Sequence, residues 1–193
     1  MKTKRPPSNQ PLPANANKVF QGEIFSIYQW PQKLYNGEEV IFEKLQRADT
    51  VSIIPITTDG KIIIEQQQQP SINPFVCIPG GVVDPGEDPH KCAIRELQEE
   101  TGYTSANWEL LFSLQPVAKI DYAIYYFIAR DCTQNHSQNL DGGEKIKLKT
   151  VNFEEFMQII TEENFRDQTL LSYILRQHYL GKLKNFEKTI LKG

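Results

Sequence analysis

Three glutamates, Glu96, Glu99 and Glu100, stand at i, i+3 and i+4 within the run Gly81 to Tyr103, GVVDPGEDPHKCAIRELQEETGY. On an α-helix that spacing puts their carboxylates on one face. Like charges stacked this way cost an isolated helix about 0.2–0.5 kcal/mol per pair, so something must offset the repulsion. Arg95 can reach back to Glu87 or across to Glu99, but one guanidinium cannot neutralise all of these acids. A hard divalent cation can, and Mg²⁺ takes oxygen ligands in an octahedral shell completed by water and substrate phosphate. The competing reading is a solvated acidic face on a surface helix. Pro79-Gly80-Gly81 weighs against it, because a tight turn just upstream exposes backbone carbonyls, and Gly86-Glu87 lies between that turn and the helix.

The helix that carries these acids is well marked. Asp88 suits its N-cap, and Pro89 suits the first helical position, where no intrahelical N–H is lost. Gly102 supplies the stop. Ala93, Ile94, Leu97 and Thr101 fall on a neighbouring stripe that can lie on a core.

Gly81, five residues, Glu87, seven residues, and then Arg95-Glu96-Leu97-Gln98-Glu99-Glu100-Thr101-Gly102-Tyr103 resemble the Nudix box, G-x5-E-x7-R-E-U-x-E-E-x-G-U with U apolar. Every charged and glycine position is filled, which makes the match specific. Only Tyr103 departs, standing where an aliphatic residue is commoner. The resemblance implies an α+β fold, an α/β/α sandwich with a mixed sheet between helices, and hydrolysis of the diphosphate in a nucleoside diphosphate linked to another group. It further implies that Glu96 and Glu100 hold Mg²⁺ or Mn²⁺, that Glu99 and the Gly80 carbonyl add oxygens, and that Glu87 and Arg95 orient those ligands. Related pyrophosphatases take the general base from a loop well downstream of the box. Here LDGGEKIKLK offers Glu144, which can equally be an ordinary polar turn, and Glu99 is the alternative base.

Within the family the chain looks most like the ADP-ribose pyrophosphatases, which carry an N-terminal sheet before the first core strand. That likeness implies a homodimer, a substrate-binding arginine near Arg47, and hydrolysis of ADP-ribose to AMP and ribose 5-phosphate. Tyr28, Trp30 and Phe25 can stack on a base, although alternating aromatic residues in a strand are more often core. Two departures leave the substrate open. The run Glu65-Gln66-Gln67-Gln68-Gln69 has glutamine where arginine often follows Glu-Gln, and Pro116-Val117-Ala118-Lys119 replaces a longer loop. Nucleotide sugars, other nucleotides, or a non-catalytic nucleotide-sensing role stand as alternatives.

The rest of the chain must position that box. Its 193 residues suffice for one domain with a small extension. A formal charge of −3 argues against a non-specific nucleic-acid binder. Cys77, Cys92 and Cys132 lack paired spacing, which suits a reducing compartment. With no membrane-length apolar run and no signal-peptide core, a cytoplasmic protein is expected. Residues 1–17 read as a flexible or draped Pro-rich tail, 18–48 as an antiparallel N-terminal sheet, and 49–193 as the hydrolase domain. VFQGEIFSIYQW reads as a strand broken at Pro31 and joined through Asn36-Gly37 to EVIFEKLQR. VSIIPIT and KIIIEQQ form a second hairpin through Asp59-Gly60, and WELLFSL, YAIYYFIAR and KIKLKTVNF read as further strands. FEEFMQII and DQTLLSYILRQHYL space their apolar residues as helices, with Gly181 as the stop.

Overall fold

The computed structural model describes residues 3–191. Its elements in chain order are β1 (Asn17–Gln21), β2 (Ser26–Lys33), β3 (Glu39–Gln46), β4 (Thr50–Thr57), β5 (Ile62–Gln68), β6 (Phe75–Cys77), α1 (Pro89–Thr101), β7 (Tyr103–Thr104), β8 (Asn107–Leu114), β9 (Ile120–Asp121), β10 (Ile124–Gln134), β11 (Lys145–Val151), α2 (Phe153–Ile159), α3 (Gln168–Tyr179) and α4 (Leu183–Leu191).

Period-two alternation in two apolar strands sets the layers. β4 and β10 run parallel as neighbours. Val51, Ile53, Tyr125, Phe127 and Ala129 point to one side, where they meet Cys92, Ala93 and Leu97 of α1. Ile54, Ile56, Tyr126 and Ile128 point to the other side, against Phe156, Leu170, Ile174, Phe186 and Ile190 of α2, α3 and α4. A sheet apolar on both faces has to be covered on both, and the result is the expected α/β/α sandwich. The larger sheet runs β11-β5-β4-β10-β7, with β6 on β5 and β8 on β10, while β1-β2-β3-β9 form the smaller one. β9 lies beyond α1 in the chain, yet it joins the N-terminal sheet by pairing in parallel with β3.

Two local readings are corrected. VFQGEIFSIYQW is two strands, because a turn closed by Gly22 N–H to Phe25 carbonyl (2.9 Å) folds β1 back on β2. Pro31 does not break β2; it pairs opposite Ile41. The β1 partner of β2 extends only to Gln29, so at Pro31 the strand has a single neighbour and a missing N–H is tolerated. Gly181, at φ 68°, stops α3 as expected, and a further helix, α4, follows it. Residues 3–16 hold no helix or strand but are draped rather than loose. Arg5 pairs with Asp49 (2.9 Å) and Asp121 (3.3 Å), and Lys44 donates to Ser8 Oγ (3.1 Å).

α4 is fastened by one buried cation. Arg130 donates to the carbonyls of Thr189 and Ile190 and pairs with Glu109 at 2.7 Å. Replacing Arg130 by Met leaves those buried carbonyls without a donor, so stability falls by about 2 kcal/mol. The melting temperature is expected to drop by about 4–8 °C, and limited proteolysis should release the C-terminal helix first.

Candidate active site

Burial on the sheet decides how α1 presents its acids. Asp88 caps the helix by accepting from the His90 N–H at 2.9 Å, and Gly102 closes it. With Cys92, Ala93 and Leu97 fully buried, the three glutamates are graded: Glu100 is 5 % exposed, while the side chains of Glu96 and Glu99 are 13 % and 37 % exposed.

The Pro79-Gly80-Gly81 strap meets this face. Val51 N–H donates to the Gly81 carbonyl (2.9 Å) and Ile53 N–H to the Pro79 carbonyl (2.8 Å), and accordingly β4 pairs with β5 only at Ile56 and Ile62. Gly80 is left outside that ladder. Its N–H donates to Glu100 Oε2 at 2.7 Å, and its carbonyl accepts no hydrogen bond among the described residues. At Gly80 only glycine fits, since a Cβ would lie 2.2 Å from the Val51 carbonyl, and a Cβ at Gly81, 2.3 Å from the Glu96 carboxyl, would push that carboxyl aside.

A cavity of about 460 Å³ is bounded by Gly80, Glu96, Glu99, Glu100, Asp141 and Glu144. Arg95 borders it too, donating to Glu96 (2.7 Å) and Glu99 (3.0 Å) with Nη1 and to Glu87 (3.0 Å) with Nη2. Its hydrogen bonds hold the Glu87 carboxyl below the usual range, whereas burial raises those of Glu96 and Glu144. Glu100 is raised further by burial and by the neighbouring charge of Glu65. Glu96, Glu99, Glu100 and Glu144 thus share the cavity with one guanidinium, and burial opposes ionisation of Glu96, Glu100 and Glu144 until a cation compensates it. The donors are all oxygens and one carbonyl is free, a set that fits a hard divalent cation. Among the described residues no three acids converge on one point, because Glu96 and Glu99 are turned onto Arg95. To share a cation with Glu100, Glu96 must exchange that partner.

The loop before β11 is docked on the end of α1. Asn139 N–H donates to the Glu99 carbonyl (2.8 Å) and Gln138 Nε2 to the Glu100 carbonyl (2.6 Å). This brings Glu144, 75 residues from Gln69 in sequence, within 3.4 Å of the Gln69 amide. A second cavity, of about 510 Å³, shares Gly80, Glu100 and Glu144 with the first and extends to Arg47, Tyr122, Phe75 and Arg166. Tyr28 and Trp30 line neither cavity. Trp30 is 3 % exposed inside the N-terminal sheet, with its indole N–H on Gln32 and Phe42 against its ring. Its large apolar ring is taken up by packing, so it does not reach the acids.

Sequence reading met Glu65 and Gln67 only in a run that departs from the related pyrophosphatases and did not place them at the acidic face. Glu65 is fully buried, accepts from Gln67 (2.7 Å) and has one oxygen without a partner. Gln67 in turn lies 3.4 Å from Glu100. Alternation in KIIIEQQ carried the signal, since Ile63, Glu65 and Gln67 share a strand face and Ile63 packs with α1.

The chain belongs to the Nudix family: the NUDIX domain matches residues 46–173, and members of this family generally use a divalent metal. It is 30 % identical over 154 residues to the methanol dehydrogenase activator of Bacillus methanolicus, covering 78 % of this chain and 83 % of that one. With the ADP-ribose pyrophosphatase of Bacillus subtilis (strain 168) it shares 28 % over 154 residues, with the same coverage. Its identity to the ADP compounds hydrolase NudE of Escherichia coli (strain K12) is 25 % over 186 residues, 90 % of this chain and 95 % of that one. A crystal structure of an ADP compounds hydrolase superposes with a TM-score of 0.71 at 18 % identity, covering 91 % of this chain and 97 % of that chain. At that identity the likeness is one of fold.

Proposed function

We propose that this protein hydrolyses the diphosphate of a nucleoside diphosphate linked to another group, with ADP-root substrates first and ADP-ribose foremost, giving AMP and ribose 5-phosphate. The observation that carries the reading is the surplus of buried carboxylates around one cavity at the Gly80–Gly81 strap. The names of the Bacillus subtilis and Escherichia coli relatives support the ADP-linked class. Glu96, Glu100, Glu99 and the Gly80 carbonyl would hold Mg²⁺, or Mn²⁺ in its place. Bound there, the cation supplies positive charge against the diphosphate.

The remaining work falls to the chain's own groups. Glu144 borders both cavities and its carboxyl is raised by burial, which suits a group that takes a proton from the attacking water. Glu99 is paired with Arg95, which makes it the poorer proton acceptor, and it would serve as a ligand by exchanging that partner for the cation. Arg95, anchored by Glu87, holds Glu96 and Glu99 beside the cavity until then. Arg47, whose Nε is buried without a partner, faces the substrate side.

The N-terminal sheet exposes Val19, Phe20, Ile24 and Ile41, a surface suited to a homodimer, and substrate contacts by Tyr28 or Trp30 belong with that proposal. Three buried free cysteines suit a reducing, cytoplasmic setting. No described helix is long and apolar enough to cross a membrane.

The test is a substrate panel with separated products. ADP-ribose with Mg²⁺ is expected to yield AMP and ribose 5-phosphate, and chelator to abolish the yield. Faster cleavage of a nucleotide sugar would move the substrate and keep the chemistry. No turnover of any diphosphate with either metal would leave a nucleotide sensor.

A further inference from the structure

Arg166 lines the cavity of about 510 Å³ on the side away from α1's Glu96 and Glu99. Arg166 belongs to the short segment that leads into α3. Its N–H donates to the Val76 carbonyl (2.9 Å), and Val76 N–H donates to the Asn164 carbonyl (2.9 Å), so a single parallel bridge at Phe165 ties this segment to β6. The next residue, Asp167, is locked as well: its Oδ1 caps α3 through Leu170 N–H (2.9 Å) and accepts from the Tyr126 hydroxyl (2.8 Å). The backbone on both sides of Arg166 is therefore fixed.

Its side chain is placed but unspent. The guanidinium carbon lies 4.5 Å from the centre of the Phe75 ring, and among the described residues the group has neither an ion pair nor a side-chain hydrogen bond. The residue is exposed and open to water, yet it lines the same cavity as Glu100 and Glu144 and pairs with neither, so its N–H groups are available to a ligand entering that cavity. A ring beneath a guanidinium occupies its face and leaves its N–H groups in the plane, the geometry that takes phosphate oxygens two at a time.

We infer that Arg166, held over Phe75, is a substrate-binding residue that grips a phosphate oxygen of the diphosphate ligand and so places the scissile group relative to the box. The inference rests on the diphosphate reading of the site and adds a contact from the C-terminal part of the chain. The substrates favoured are those whose phosphates lie against both the box and this segment.

The experiment compares Arg166→Gln and Arg166→Lys with wild type in steady-state hydrolysis of ADP-ribose at saturating Mg²⁺, alongside melting temperatures. Arg166→Gln is expected to raise KM by about tenfold to a hundredfold with kcat within about threefold, and Arg166→Lys to recover part of the loss. Added salt should raise KM less steeply in the Gln variant than in wild type. An unchanged KM overturns the inference, as does a loss of activity that comes with a lower melting temperature and no recovery by lysine. If wild type cleaves no diphosphate, the hydrolase reading fails separately. Equilibrium binding of ADP-ribose then decides for Arg166: tenfold weaker binding by the Gln variant upholds the contact, and equal binding removes it.

Discussion

Glu100→Gln is expected to lower kcat on ADP-ribose by about a thousandfold while leaving the fold as stable as wild type, or more so, in chelator. The first effect follows from taking away a carboxylate ligand at a phosphoryl-transfer site, where metal charge stabilisation amounts to several kcal/mol, and each ~1.4 kcal/mol is tenfold in rate. The second follows from burial. Glu100 is 5 % exposed, and both burial and the charge of Glu65 oppose its ionisation. A neutral amide of the same shape removes that opposition and keeps an oxygen for the Gly80 N–H. The two states should also part in their response to metal: Mg²⁺ raises the melting temperature of wild type, as any ligand of the native state does, and does not raise that of the variant. A variant that melts far lower than wild type in chelator, or one that keeps full activity, would contradict the placement of Glu100 as a ligand.

Glu144→Gln separates the base from the ligands. Loss of a general base costs about a hundredfold to ten-thousandfold in rate, so kcat should fall by that much while the melting shift with Mg²⁺ is retained. Glu99→Gln is expected to show the opposite balance, with a weaker metal response and a smaller loss of rate at saturating metal. If the two variants exchange these signatures, Glu99 is the base and Glu144 an ordinary loop acid. The loop's anchoring on the Glu99 and Glu100 carbonyls predicts that Gln138→Ala, which frees it, lowers kcat in the same direction as Glu144→Gln and by less.

The helix of acids was legible because its signals are local. Asp88, Pro89 and Gly102 bound it by backbone chemistry that needs no distant partner, and the spacing of Glu96, Glu99 and Glu100 places them on one face whatever the helix packs against. The apolar, β-branched and aromatic runs around SIIPI and YYFIA likewise announced strands, while their burial on both faces showed only in the fold. What misled lay in runs with two local solutions. VFQGEIFSIYQW could be one strand or two until Gly22 turned, and Pro31 is a breaker only if both sides of β2 are paired. Trp30 looks the same in sequence whether its ring meets a base or Phe42.

By itself, then, the sequence determined the chemistry on offer: an acidic helix face, a glycine strap beside it, and the family to which both belong, because short-range geometry and residue type suffice for those. The tertiary structure alone decided which distant groups meet that face. Glu65 and Gln67 from β5, Glu144 from the loop before β11, and Arg47 and Arg166 from either end of the hydrolase fold are brought to it by sheet order and helix docking. Their contacts depend on how strands separated by tens of residues align, and no local spacing encodes that.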